Sequence, residues 1–543
     1  MTKSFRDRRL GRGWFGAALA AVILGSVQGA GPGHAETAAG SAFARALAEA
    51  VSGDEAAAAF YKASGYADLW TGADDAVRRQ AALAAFATAA DHGLPVARYD
   101  AAALRAAFQA AGTQGDRGRV EAAMTAAYLA FARDLSSGVL TPSKVDPGIV
   151  REITRPDPAA LLSDIARTAD PVGLLRGLAP SAPEYSALMK EKFRLEAALA
   201  DGRPAPVLPA RRLAPGDSGP EVVALRDSLI GQGYLAPTAT ALYDRSILRA
   251  VQRFQTDNAL VPDGVAGEST IAALNRSLED RLEAVVVAME RLRWMGDAPR
   301  GARHIWVNQP DFVARIIDKG RTTFQTRAVI GKNVEDQRTP EFSDQMEYMV
   351  VNPSWGVPRS IIVKEYLPLL QRNRNAVGHL QVVDGNGRVV PRGAVNFAAY
   401  SASSFPFGLR QPPSDGNALG KVKFMFPNQY NIYLHDTPAK NLFSHEVRAY
   451  SHGCIRLGDP FDFAYTLLGA QSDDPKGVFQ QELDSGQESS VSLDSKVPVH
   501  LVYFTAWPGQ RGKIGYRDDI YGRDARLFQA LTEAGVVLQP DHG

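Results

Sequence analysis

The sequence has little cysteine, little net charge and few long apolar runs. Cys454 is the single cysteine in 543 residues, and the formal charge at pH 7 is +1. One thiol cannot form an internal disulfide, and the balanced charge gives no support for a nucleic-acid partner. Outside the N-terminus, no apolar run approaches the length of a membrane span. The fractions of hydrophobic residues, 45%, and charged residues, 22%, are those of an ordinary globular chain.

The N-terminus differs from the rest of the chain. Five basic residues precede an apolar run over residues 14–27, and small residues follow, with Gly33-His34-Ala35 as a candidate cleavage site. This layout is typical of a secretory signal peptide, so we expect residues 1–35 to direct export; an uncleaved signal anchor is the alternative. An unpaired thiol outside the cytoplasm is open to oxidation, so the presence of Cys454 suggests that it has a use.

The remaining chain is long enough for several domains. Residues 36–205 are alanine-rich, with apolar residues three and four apart, which predicts a helical scaffold domain without a catalytic constellation. Three short helical patterns separated by glycine turns follow, and we assign them to one unit over residues 206–280. Residues 281–300 predict a linker helix. The N-terminal part of the chain is therefore expected to be helical.

From residue 301 the pattern changes to strict alternation. β-branched and aromatic residues alternate with polar ones in several segments of residues 301–510, which predicts a mostly β domain. An insertion over about residues 361–420 is large enough to form a lid or a substrate wall. The tail, 511–543, is predicted to carry one amphipathic helix. The predicted fold class is therefore multidomain α+β.

Three histidines lie close to Cys454 in the sequence. They are His435, His445 and His452, and His435 comes at the end of a strand pattern that places it on the same face as Tyr433. A buried cysteine beside satisfied core histidines would account for each residue singly, but not for their clustering. We therefore weigh two chemical interpretations of the cluster.

The first interpretation is a metal site, with Asp436 added to the three histidines and Cys454 as candidate ligands. Zinc accepts such ligands, but none of its usual paired spacings is present. The second is a nucleophilic Cys–His pair, in which a neighbouring imidazole converts the thiol to the reactive thiolate. The backbone N–H groups of Gly453 and Cys454 are then candidates for an oxyanion hole. We favour the second interpretation and keep the first as a minor alternative.

Several motifs resemble one enzyme family. His435-Asp436 followed by SHGCIRL at 451–457 resembles the signature of L,D-transpeptidases with a YkuD-type catalytic domain. TPEFS, VNPSWGVPRSI and VYFTAW, which begin at residues 339, 351 and 502, resemble further family blocks in the same order. The resemblance covers about residues 300–510. The segment YDRSILRAVQRFQ and the PDGVAGEST that follows it resemble a peptidoglycan-binding domain, and the whole arrangement resembles the large periplasmic members from Gram-negative bacteria.

The resemblance implies a set of site residues. Cys454 would be the nucleophile and His435 its general base. The remaining motif residues would be Ser451, His452, Gly453 and Arg456, and the substrate-binding candidates are Tyr433 and Trp355. The family often has a small polar residue after the base, where this chain has Asp436. A carboxylate in contact with the imidazole would change the strength of the base.

The resemblance also implies the reaction. Cys454 would attack the carbonyl before the terminal D-alanine of a tetrapeptide stem, release D-alanine, and pass the acyl group to an amine of a second stem as a 3→3 cross-link. No cofactor and no metal are implied, and carbapenems should acylate the thiol. The alternatives are an L,D-carboxypeptidase, attachment of an envelope protein to the wall, and a non-catalytic wall-binding scaffold. The sequence does not indicate the oligomeric state.

Overall fold

The structure, a computed structural model, describes residues 41–202, 207–509 and 512–538, so the predicted signal peptide lies outside the described residues. A helical N-terminal region precedes a small helical module and a β-rich domain, which confirms the predicted multidomain α+β class. Among the described residues, no helix is both long and apolar enough to cross a bilayer.

Most helices of the N-terminal region pack around one apolar core, whereas the last helix, Pro183–Asp201, contributes to a second core shared with the C-terminal part of the chain. The longest helix of the region starts with a capping box, in which Thr113 and Asp116 each bond the other's backbone N–H. Trp70, Tyr128 and Phe131 are among the aromatic residues buried in the first core. The helices are α1 (Ala42–Ala50), α2 (Glu55–Ala63), α3 (Ala76–Ala87), α4 (Ala101–Ala110), α5 (Gln114–Ser137), α6 (Pro142–Val145), α7 (Pro158–Arg167), α8 (Pro171–Arg176) and α9 (Pro183–Asp201).

The module that follows contains the three expected helices. They are α10 (Pro220–Gly231), α11 (Arg245–Asp257) and α12 (Glu268–Leu274). The carboxylate of Asp244 caps α11 by accepting the N–H groups of Ser246 and Ile247. The apolar faces of the helices enclose a core of their own, which explains why this short segment has a defined fold.

The helix predicted as a linker, α13 (Leu278–Met295), is a buried core helix. It is buried on most sides, with Glu290, Arg291 and Arg293 among its buried residues, and packs against α9, α5 and the C-terminal part of the chain. The guanidinium group of Arg291 in this helix is buried and forms ion pairs with Glu341 at 2.5 Å and with Asp524 at 2.8 Å. This helix therefore joins the scaffold to the β-rich domain by direct packing.

A nine-stranded sheet forms the frame of the β-rich domain. Its strands are β1 (Arg303–Asn308), β2 (Val313–Asp318), β3 (Arg321–Gly331), β4 (Phe342–Val351), β9 (Val422–Met425), β10 (Leu434–His435), β11 (Ala449–Ser451), β12 (Ile455–Leu457) and β13 (Ser489–Val502). The spatial order is β11-β3-β12-β10-β9-β4-β13-β1-β2. Helices α16 (Pro460–Leu468) and α17 (Pro475–Asp484) follow β12, and α16 packs its buried face onto the core of the sheet.

The insertion between β4 and β9 folds as a separate small unit. It contains β5 (Trp355–Gly356), α14 (Arg359–Ile361), a π-helical turn (Ile362–Tyr366), α15 (Leu367–Arg372), β6 (Gln381–Val383), β7 (Val389–Val390) and β8 (Gly408–Gln411). Its four strands pair in the order β5-β8-β6-β7, and it has its own apolar cluster, distinct from that of the main sheet.

The C-terminal segment is integrated into the core. The hairpin of β14 (Ala506–Pro508) and β15 (Ile514–Tyr516) lies between α13 and the module, and α18 (Arg523–Glu533) packs on α13. The backbone N–H of Tyr516 donates to Asn258 of the module at 2.8 Å. Arg276 in turn donates to Arg517 O at 2.8 Å. The tail that we expected to carry one helix thus also fixes the module to the rest of the chain.

Candidate active site

Two short parallel strands position the predicted catalytic residues. In the register of β10 and β12, Leu434 pairs with Ile455 and His435 with Arg456. Leu434 and Ile455 point into the core of the sheet, so the alternate residues face the other side. Those residues, Tyr433, His435, Cys454 and Arg456, line a cavity of 880 Å³ together with residues of the insertion.

The turn before Cys454 is held by two hydroxyl groups. Ser451 Oγ accepts the N–H of Gly453 at 3.1 Å and donates to the carbonyl of Cys454 at 2.5 Å. Thr339 Oγ1 accepts the N–H of Gly331 at 2.9 Å and donates to Gly453 O at 2.7 Å. Gly453 has φ +114°, a conformation that favours glycine. Ser451 and Gly453 therefore shape the turn, and the TPEFS block supplies the threonine that braces it.

The predicted oxyanion hole needs a correction. The N–H of Gly453 donates to Ser451 Oγ, so this donor is already used by the turn. The N–H of Cys454 has no hydrogen-bond partner among the described residues. The N–H of Gly453 stabilises the turn and is not available to a substrate oxygen. Of the two expected donors, the N–H of Cys454 is therefore the one available to a ligand.

His435 is oriented by the backbone of the next residue. Its Nδ1 lies 2.5 Å from Asp436 O, and because a carbonyl only accepts, Nδ1 carries the proton and Nε2 is the acceptor. The Asp436 carboxylate instead accepts from the N–H groups of Lys421 and Thr437 and from Lys440 Nζ, at 2.7 to 2.8 Å. The departure from the family pattern at Asp436 therefore leaves the imidazole free of a carboxylate contact.

Burial keeps the imidazole of His435 neutral. It lowers the pKa of His435 to about 3, and the nearby Arg456 acts in the same direction. The backbone carbonyls of Asp436 and Leu419 oppose this shift without reversing it. His435 is consequently a proton acceptor throughout the physiological pH range.

Burial also keeps Cys454 protonated. It raises the pKa of the Cys454 thiol to about 11, although contacts with Tyr433 and the charge of Arg456 act to lower it. Sγ lies 3.5 Å from Asn431 O, a contact suited to a thiol that donates. The loss of hydration thus outweighs the neighbouring positive charge in setting the pKa of the thiol. The pair is a neutral thiol and a neutral imidazole.

His452 faces the insertion. Its Nε2 lies 2.7 Å from Oε1 of Glu365, in the π-helical turn. A second link joins Lys364 of the same turn to Asp336, in the loop after β3. Sequence reasoning missed Glu365, because a partner 87 positions away leaves no local signal.

The insertion forms the opposite wall of the cavity. Trp355 and Tyr366 lie in this wall with their rings edge to face, 6.5 Å between centroids. Arg456 reaches the cavity from the sheet side, and its Nε has no hydrogen-bond partner among the described residues. The cavity therefore combines a nucleophile, an aromatic wall and a guanidinium group with unused hydrogen-bonding capacity.

The candidate metal ligands do not converge. His445 packs its ring on Tyr450, 5.6 Å between centroids, and His452 is held by Glu365. Within the described parts of the chain, no group of three or more His, Cys, Asp or Glu side chains is arranged to hold a metal ion.

Three family models match this chain. Residues 302–479 match the L,D-transpeptidase catalytic domain, and residues 218–274 match a domain described as "Putative peptidoglycan binding domain". Residues 55–191 match a domain described as "Scaffold domain". The three matches correspond, respectively, to the β-rich domain, the three-helix module and the helical N-terminal region described above.

Related proteins were also found. A protein of Haemophilus influenzae named "Putative L,D-transpeptidase" is 29% identical over 293 residues, which cover 53% of this chain and 57% of that protein. The solved L,D-transpeptidase structures from Xylanimonas cellulosilytica and Stackebrandtia nassauensis are 17% and 14% identical, and each match covers 55% of this chain. They cover 99% and 97% of those chains, with TM-scores of 0.17 and 0.22. Scores this low give no further support for the architecture.

The matched segments correspond to the elements that build the cavity. The catalytic-domain match includes the strands that carry His435 and Cys454 and the insertion that faces them. The chain therefore contains an L,D-transpeptidase catalytic domain of the YkuD type, preceded by a peptidoglycan-binding domain.

Proposed function

We propose that the protein is a peptidoglycan L,D-transpeptidase that uses Cys454 as its nucleophile and His435 as its general base. The observation that carries the proposal is the register of β10 and β12, which puts both side chains on the cavity face of one strand pair. The family match and the curated relative support an enzyme of this class. No cofactor is required, because the amide that is cleaved supplies the energy of the new bond.

The first half-reaction forms a thioester. Cys454 Sγ attacks the carbonyl carbon that precedes the terminal D-alanine, while the thiol proton passes to Nε2 of His435. The N–H of Cys454 stabilises the developing oxyanion. The tetrahedral intermediate then collapses, the C–N bond breaks, and D-alanine leaves with the proton from His435. Because both groups are neutral at rest, proton transfer accompanies attack.

The second half-reaction uses an amine. The amino group of a second stem attacks the thioester, His435 accepts its proton, and Cys454 leaves as a thiol. The product is a 3→3 cross-link. Arg456 is suited to bind a stem carboxylate during both steps, because its guanidinium group lines the cavity and lacks an ion-pair partner among the described residues.

The other domains support a reaction at the cell wall. The three-helix module matches a peptidoglycan-binding domain, and peptidoglycan lies outside the cytoplasm. We therefore propose a periplasmic location, with export by the N-terminal signal. The substrates are the donor and acceptor stem peptides, and an envelope protein is an alternative acceptor.

Digestion of sacculi tests the proposal. Sacculi rich in tetrapeptide stems are incubated with the protein or with Cys454→Ala, digested with a muramidase, and analysed by mass spectrometry. We expect 3→3 cross-linked dimers and free D-alanine with the wild type and neither product with the variant. Cys454→Ala is suitable because it replaces one half-buried side chain beside a cavity.

The alternatives predict different products. Tripeptide stems without dimers would indicate a carboxypeptidase, and stems carrying a lysine-linked protein fragment would indicate protein attachment. Binding to sacculi without any change of muropeptides would indicate a wall-binding scaffold. Full activity in Cys454→Ala, or about one zinc per chain together with inhibition by chelators, would contradict the nucleophile assignment.

A further inference from the structure

A second cavity lies where three parts of the chain meet, far along the sequence from Cys454. We call it the junction cavity. It has a volume of 640 Å³ and is bounded by α9, by the module with the adjoining first turn of α13, and by the C-terminal hairpin. Its size falls within the range of ligand-binding pockets. None of the residues that line it belongs to the catalytic cavity.

The junction cavity has an excess of positive charge. Among the residues that line it, four are cationic and one is a carboxylate, Glu191. The cations are Lys190, Arg194, Arg281 and Lys513. Glu191 already has partners, because it accepts two bonds from Arg194 and one from the hydroxyl group of Tyr516, at 2.7 to 2.8 Å. The remaining cations have no ion-pair partner among the lining residues.

Arg281 is the strongest indication of a ligand. The residue is 94% buried, as its relative exposure is 6%, yet its Nε has no hydrogen-bond partner among the described residues. Its other contacts are long bonds of 3.3 and 3.4 Å to two carbonyls of α12, and its guanidinium group lies 5.4 Å from the ring centroid of Tyr516. Burial lowers the pKa of Arg281. A buried guanidinium group with an unsatisfied N–H donor lowers the stability of the fold unless an anion accepts its hydrogen bond and balances its charge.

Two lysines complete the cationic side of the cavity. Lys513 donates to the carbonyls of Gln232 and Gly233 at 2.7 Å and lies 4.4 Å from the ring centroid of Tyr234. These contacts use two of its three N–H donors. Lys190 is exposed at the rim and makes no hydrogen bond or ion pair with a described residue. Donors are thus available from α9 and from the hairpin.

The apolar part of the lining is aromatic. Tyr234 and Phe254 of the module and Tyr516 of the hairpin are buried but reach the cavity. Flat aromatic surfaces beside cationic donors suit a ligand that combines a sugar or peptide body with a carboxylate. A planar guanidinium group binds a carboxylate through two parallel hydrogen bonds.

We propose that the junction cavity binds the free carboxylate of a peptidoglycan stem, at a site separate from the catalytic cavity. The inference rests on the proposed function for the identity of the ligand, and on the unpartnered Arg281 for the site. It assigns wall recognition to a composite surface of the scaffold, the module and the hairpin, and not to the module alone.

Protection of lysines from modification tests this proposal directly. The full chain carrying Cys454→Ala is treated with an amine-acetylating reagent, and the modification of Lys190, Lys513 and Lys62 is followed by peptide mass spectrometry. Lys62 is a matched control on α2, outside the cavity. The probes are a purified disaccharide tetrapeptide, the same disaccharide without a peptide, and inorganic phosphate.

We expect the disaccharide tetrapeptide to slow modification of Lys190 and Lys513 but not of Lys62, and the disaccharide alone to have no effect. Arg281→Met should raise the concentration needed for half-maximal protection by about 10-fold or more, the usual loss for a charged hydrogen bond. Lys190→Met should raise it by about 2- to 5-fold, with Lys513 as the reporter, because the rim is exposed to water. Lys62→Met should leave it unchanged.

Several outcomes would overturn the proposal. They are absence of protection by the tetrapeptide, protection by phosphate alone, and unchanged protection in both Arg281→Met and Lys190→Met. The second variant decides the matter if Arg281→Met does not fold, because Lys190 lies at the surface. Failure of the proposed function would be visible separately, as a wild-type chain that forms no acyl adduct with a carbapenem.

Discussion

The two walls of the catalytic cavity are built in different ways. On the sheet side, His435 and Cys454 belong to or adjoin central strands, and backbone and hydroxyl contacts hold the turn between β11 and β12. On the insertion side, Trp355 belongs to a unit with its own apolar core. Glu365 ties that unit to His452 of the motif, and Lys364 ties it to Asp336 in the loop after β3. Under the proposed function, the sheet supplies the nucleophile and the base, and the insertion forms the opposite wall of the cavity.

The largest effect is expected from the sheet side, at Cys454. Cys454→Ala should abolish both turnover and the acyl adduct with a carbapenem, because no other thiol is present in the chain. Cys454→Ser should be nearly inactive, since a hydroxyl group is a weaker nucleophile than a thiol at neutral pH. Intact-protein mass spectrometry should show one adduct per wild-type chain. An adduct of the same mass on Cys454→Ala would contradict the assignment.

The next largest effect is expected at His435. His435→Ala should slow acylation by roughly 10²–10⁴-fold, the usual loss for a general base. The measurement is the rate of adduct formation with a carbapenem, followed by mass spectrometry of samples quenched at successive times. His445→Ala is a suitable control, because His445 packs on Tyr450 and does not line the cavity. Equal rates for His435→Ala and the wild type would remove the base from the mechanism.

The insertion side should give a smaller effect of a different kind. Glu365→Gln removes the charge opposite His452 and should change the KM for tetrapeptide substrates by about 2- to 5-fold, as expected for an exposed pair. The rate of the chemical step should change less, because neither residue contacts the reacting atoms. His452→Gln should have the same effect, and the double variant should be no worse than either single one. A drop in kcat comparable to that of His435→Ala would place His452 in the chemistry.

The smallest effect is expected from pH. Because the pKa of His435 is lowered to about 3 and that of Cys454 raised to about 11, neither group titrates between those values. The acylation rate constant should therefore be flat from about pH 5 to about pH 9, and should fall only as His435 becomes protonated at low pH. The measurement is carbapenem acylation at constant ionic strength. A rise with a midpoint near pH 6.5 would show that the imidazole is less buried than described.

Local sequence patterns predicted the elements and the two central site residues. The β alternation ends at His435 and the SHGC motif contains Cys454, so both candidates could be chosen from short segments, and both line one cavity. The partners of these residues were not predictable in this way. Thr339 reaches Gly453 across 114 positions, and Glu365 reaches His452 across 87, so their pairing depends on the tertiary fold.

The protonation state of the Cys454 thiol could also not be predicted from the sequence. A neighbouring histidine and arginine suggest a thiolate, but the amount of water around Sγ depends on how the strands and the insertion pack. The burial of α13 is a similar case. The sequence predicts a linker helix here, because the residues that pair with the buried Arg291, Glu341 and Asp524, are distant in the sequence.

The docking of the three-helix module on the C-terminal hairpin has a geometric consequence. A wall-binding unit on a flexible tether would let a catalytic domain search a volume that grows with tether length. Here Tyr516 and Arg276 join the module to the hairpin, and this docking limits how far the module can move relative to Cys454. Under the proposed function, the docked module would limit the distance between the glycan strand that it binds and the stems that can reach Cys454. The dimensions of the protein would then set the spacing of new cross-links.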